Sequence, residues 1–74
     1  NSTVIIPFAL QKPGKVIFSI YNLLGEQMHI ISEGIRPAGA GRIAWEAVEI
    51  PTGIYYVKMA TSDEIFSSQI TIIK

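Results

Sequence analysis

Cysteine is absent from the 74 residues, so no disulfide framework and no thiolate metal site can reinforce the fold. Charge is scarce too: 16% of residues are charged, six basic against six acidic, and they cancel. Typical globular domains carry roughly 25%. The lysines and arginines are scattered, whereas binding by counterion release needs them grouped. Nucleic acid and acidic membrane surfaces are therefore not expected partners. Histidine occurs once, at His29, which excludes a multi-histidine metal site. No stretch approaches the ~20 apolar residues needed to span a bilayer, so membrane insertion is not expected. No signal peptide is visible either.

What the chain does have is apolar content, 49% of its residues. Residues 1–74 are expected to form one small domain, which buries only about 60% of the surface it exposes when unfolded. A neutral, charge-poor surface also favours self-association. The chain therefore reads as a module excised from a larger protein, with exposed strand edges open to weak self-association.

The apolar residues recur with period two, not 3.6. Val4, Ile6, Phe8 and Leu10 share one face, and Pro7 among them points to an edge strand or a bulge. Gln11 to Gly14 is a turn in which Pro13 presets φ and Gly14 is free to take a positive one. The next strand, KVIFSIYN, is apolar on both faces, as befits the middle of a sheet. Leu23 to Glu26 turns the chain, and Gln27 to Glu33 is a third strand. Met28, Ile30 and Ile31 cannot all share a side there without a bulge. Gly34 to Gly41 is expected to be a loop. RIAWE follows with Ile43 and Trp45 on one face, then GIYYVKM with Tyr55, Val57 and Met59 inward and Tyr56 outward. Gly53 is expected to supply backbone freedom at the start of that strand. IFSSQITIIK is the last strand. This predicts an all-β antiparallel sandwich of six strands, or seven if the first splits at Pro7.

The residues that could carry chemistry are few. No nucleophile-elbow sequence accompanies His29. The acid pairs Glu46 with Glu49 and Asp63 with Glu64 read as solvated loop residues, since a fold this small has little room for a glycosidase cleft. Gly39-Ala40-Gly41 leads into a strand, so it has no helix N-terminus with which to hold a phosphate. Asn1-Ser2-Thr3 matches a glycosylation acceptor only formally. Lys58, Asn22 and a glutamate are the ingredients of an isopeptide crosslink, without spacing that argues for one. Trp45, Tyr21 and the Tyr55-Tyr56 pair raise a sugar-binding hypothesis, but adjacent residues on a strand face opposite ways, so Tyr55 and Tyr56 cannot form one platform. No enzymatic activity and no cofactor are expected.

Taken in order, NSTVIIPFALQKPGKVIFSIYNLLGEQ, RPAGAGRIAWE, PTGIYYVKM and the terminal ITIIK resemble the type A C-terminal sorting domain of the type IX (Por) secretion system. The resemblance runs over essentially the whole chain. It implies an immunoglobulin-like β-sandwich of about seven strands that carries N-terminal cargo through the outer membrane of Bacteroidota-type bacteria to the cell surface or medium. The partners it implies are the type IX translocon and a cell-surface sortase. By position, the motif residues are Gly25, Pro37, Gly39, Trp45, Gly53, Tyr55 and Lys74. Glu26 stands where the family has arginine or glutamine, Gly41 where it has histidine, and Trp45-Glu46-Ala47 where it has tryptophan-aspartate-glycine. The alternative is an accessory carbohydrate-binding or structural immunoglobulin-like module of a secreted glycoside hydrolase.

Overall fold

The computed structural model describes residues 3–73. Among them are six strands and no helix: β1 (Thr3–Leu10), β2 (Gly14–Tyr21), β3 (Gln27–Arg36), β4 (Gly39–Glu46), β5 (Gly53–Ala60) and β6 (Ile65–Ile72). They form two antiparallel sheets, β1-β4 and β3-β2-β5-β6. No helix is long and apolar enough to cross a membrane. The expected seventh strand does not arise within the described residues. Pro7 stays in register opposite Arg42, and the pairing runs unbroken from Thr3 to Leu10. β1 is an edge strand, where a missing N–H is tolerated.

β2 holds the larger sheet together. It pairs with β3 on one side and β5 on the other. Val16, Phe18 and Ile20 point inward and are essentially inaccessible to solvent, while Ser19 on the outer face is also buried. The core between the sheets has two clusters. Ile20, Ala47, Ile50, Tyr55 and Ile72 form one, and Leu10, Val16, Phe18 and Ile43 form the other. Ile31 packs against both. It can do so because β3 slips against β2 at two places, which leaves Met28 and Ile31 without a direct partner. The apolar ambiguity of that strand is resolved by these irregularities, as its pattern requires.

One glycine assignment is corrected by the structure. The stretch from Gly34 to Gly41 is not a loop: β3 continues to Arg36, β4 begins at Gly39, and only Pro37 and Ala38 lie between. Gly41 is a strand residue under the Phe8 ring, where an added Cβ would sit 2.7 Å from Phe8 Cζ. Its glycine supplies room, not a turn. Phe8 has little freedom to yield, because it packs on Phe18 at 5.0 Å between ring centroids and under the Arg36 guanidinium. Among the described residues only Gly25 and Gly39 take positive φ, so the freedom available at Gly14 and Gly53 is not used for a left-handed conformation. Gly14 simply opens β2 opposite Arg36, and a Cβ on Gly53 would meet Tyr55 at an ordinary 3.6 Å.

These readings separate two alanine variants. Gly41→Ala is expected to displace Phe8 and cost about 1–3 kcal/mol of stability, the range for overpacking. Gly53→Ala should stay within about 0.5 kcal/mol of the parent. Urea unfolding of both measures the difference, and equal midpoints would contradict the steric role given to Gly41.

Candidate functional site

The connection from β4 to β5 carries the most specific local geometry. The Tyr55 side chain is buried beside Ile20 and Ile72, and its hydroxyl donates to the Pro51 carbonyl at 2.6 Å. The ring thus ties the incoming connection to the start of β5 while filling the core. Pro51 has no N–H to satisfy, and its carbonyl is turned back onto the domain. Gly53 lies against the same ring.

The turn between β2 and β3 is built from Asn22. Its side-chain oxygen accepts from the N–H groups of Leu24 and Glu26 at 2.9 and 3.0 Å, and its amide donates to the Glu26 carboxylate at 2.8 Å. Its carbonyl accepts from the Gly25 N–H, and Gly25 takes a φ of 83°. An asparagine that bonds its own backbone and a glycine in the left-handed region are what such a hairpin turn requires. The turn is closed by these bonds, and it leaves Leu23 and Leu24 in solvent, 63% and 83% exposed.

Trp45 lies on β4, facing the core, and is only partly buried. His29 on β3 stacks over it with ring centroids 6.0 Å apart. The single histidine therefore covers the open flank of the tryptophan. Gly39, with a φ of 108°, and exposed Pro37 serve the tight β3–β4 connection. Lys74 lies outside the described residues.

The strand directions sort these positions. Gly25, Trp45, Gly53 and Tyr55 collect at the end of the domain where β2 finishes and β5 begins, around the cluster containing Ile20 and Ile72. Pro37 and Gly39 lie at the opposite end. They do not form one site. The end that holds four of them also carries exposed aliphatic side chains among its exposed glutamates: Val48 and Ile73 join Leu23 and Leu24 there, 72% and 75% exposed. No motif in the sequence marks that patch, since its members come from three separate segments.

The other candidates do not converge. Asn22 is occupied within its turn, while the Lys58 ammonium lies over the Tyr21 ring at 4.7 Å. Among the described residues, no three His, Cys, Asp or Glu side chains gather closely enough to hold a metal ion. Glu46, Glu49, Asp63 and Glu64 are all exposed. At the far end, a hollow of about 480 Å³ separates the β1–β2 and β5–β6 turns. The Lys12–Asp63 ion pair that spans these turns is solvent-exposed and contributes little. No family model, curated protein or solved structure matches the chain.

The double role of Tyr55 has a measurable consequence. Tyr55→Phe keeps the ring and is expected to cost about 1 kcal/mol, the net worth of one hydrogen bond. Tyr55→Ala removes the ring as well and should cost about 3–5 kcal/mol. Denaturant titration resolves the two, and a phenylalanine variant as stable as the parent would discount the contact with Pro51.

Proposed function

We propose that this domain is a non-enzymatic sorting signal that directs an attached cargo protein through the type IX secretion system, and that its fold is an immunoglobulin-like β-sandwich. The fold reading is supported by the pairing of β1 with β4 and the order β3-β2-β5-β6. In this reading the β1-β4 pair takes the place of the central B-E pair and β2-β5-β6 that of C-F-G, with β3 beside β2 where variable-type domains add a strand. The Tyr55 hydroxyl bonded four residues upstream supports it too, because a tyrosine at the corner entering the penultimate strand is a hallmark of such sandwiches.

The functional reading rests on the ordered motif series. One structural observation favours it over a purely structural spacer: the motif-bearing end presents exposed Leu23, Leu24, Val48 and Ile73 around a hydrogen-bonded turn. A secretion machine that recognises folded cargo needs a surface fixed in shape and distinct from the rest of the domain. A preorganised apolar patch provides one, because little ordering entropy is lost on docking. The translocon and a cell-surface sortase are the partners of this reading, cargo is fused ahead of the domain, and the destination is the cell surface or medium.

Fusing the 74 residues to the C-terminus of a periplasmic reporter tests the proposal in hosts with and without the translocon. The reporter is expected outside only when the translocon is present. Retention in the periplasm of both hosts sinks the reading. The double variant Leu23→Ser/Leu24→Ser should reduce export while leaving stability within about 0.5 kcal/mol, since both side chains are exposed. Weak association between copies is expected through the open strand edges. Sedimentation velocity across a concentration series should show a rising weight-average mass, and a constant monomer would exclude it.

A further inference from the structure

We propose that the outer face of the four-stranded sheet is a binding platform for an acidic polysaccharide, with pyranose rings laid on Tyr56 and anionic groups drawn to Lys58. The proposal is independent of the sorting role.

The register of the sheet assembles the platform. Gln27 pairs with Tyr21, Tyr21 with Tyr56, and Tyr56 with Gln69, so the four side chains stand in one row across the strands. Neighbouring strands are about 4.8 Å apart, which makes the row about 14 Å long. That length suits a short run of sugar rings. The composition is ordered along the row: an amide, two phenols, an amide. Tyr21 is already engaged, with its hydroxyl donating to Gln27 Oε1 at 3.1 Å and its ring under the Lys58 ammonium. Tyr56 is 39% exposed, and neither its hydroxyl nor the Gln69 amide makes a hydrogen bond among the described residues. The central part of the face therefore offers one open aromatic ring with hydrogen-bonding groups beside it. Aromatic surface with a few placed polar groups is the chemistry that sugar rings, apolar on their faces and polar at their rims, are held by.

Charge selects among polysaccharides. Lys15 and Glu33, also on this face, neutralise each other at 3.2 Å. Lys58 pairs with no carboxylate among the described residues. One uncompensated cation beside the open ring favours a ligand that carries carboxylates. Single-stranded nucleic acid also stacks on tyrosine, but it brings a phosphate with every base and needs a basic groove along its path. A single lysine on a domain of zero formal net charge does not supply one.

Electrophoresis of the 74-residue chain through native gels containing polygalacturonate, neutral dextran or no polymer tests the proposal. Polygalacturonate is expected to retard the protein and dextran much less. Tyr56→Ala and Lys58→Met should each weaken retardation about tenfold, as for truncation of a central contact. Tyr56→Leu, which keeps cross-strand packing while removing the ring, guards against a folding artefact and should lose as much. Absence of retardation in polygalacturonate overturns the proposal. Unchanged retardation in the folded Tyr56 variants also overturns it, because attraction would then be charge alone. Equal retardation in dextran, or tighter binding to a thymidine oligonucleotide, overturns it as well.

Discussion

Burial of the inner face of β2, with pairing along both of its edges, is the constraint on which the rest of the domain depends. Without cysteine or a thiolate metal site, a chain of this size has little beyond packing to hold it. β2 concentrates that packing: Val16, Phe18 and Ile20 face β1 and β4 through the core clusters, while Ser19 on the outer face is also buried. Its two pairing registers then decide which residues of β3 and β5 face inward. Because the side-chain period is two, a one-residue slip on either side would turn the core face to solvent. β3 absorbs its irregular pattern by local bulges, and β5 carries no irregularity against β2 at all.

The covering of this sheet is unequal. Two strands lie over four, and β1 runs above the region of Val57, Met59 and Phe66 without closing it. A groove of about 280 Å³ remains between β1 and β6, and Phe66 is 47% exposed along it. Such an opening carries two physical consequences. Apolar inward-facing surface stays hydrated, which limits the stability of the β5–β6 half. The free backbone groups of an edge strand also stand next to that surface, so edge pairing and apolar burial would be gained together by strand addition.

Local pattern in the sequence made most of this legible. Alternation located all six strands, assigned Tyr55 inward and Tyr56 outward, and marked the bulge in β3. What it missed has one physical origin, which is that pairing partners are not local. Gly41 reads as part of a loop because glycine usually breaks strands, yet its role is to make room for Phe8, a residue distant in sequence. The seventh strand was expected because Pro7 can split a strand, and only the continuous pairing with β4 shows that it does not. The motif residues were visible as a series, but not that four of them gather at one end. Register creates that grouping, just as it creates the row containing Tyr21 and Tyr56.

The tyrosine pair shows how a strand serves two purposes with adjacent residues. Tyr55 is fixed by the core and by Pro51, so its neighbour is fixed as well: alternation forces Tyr56 onto the outer face at a defined height. Tyr56 is then positioned by the interior without taking part in it. A surface residue held this way loses little conformational freedom on binding, because the backbone beneath it is already ordered on both sides by β2 and β6. The same logic applies to Leu23 and Leu24, which a bonded Asn22 turn holds in solvent. In both places the position of an exposed side chain is set by bonds and packing that the side chain itself does not make.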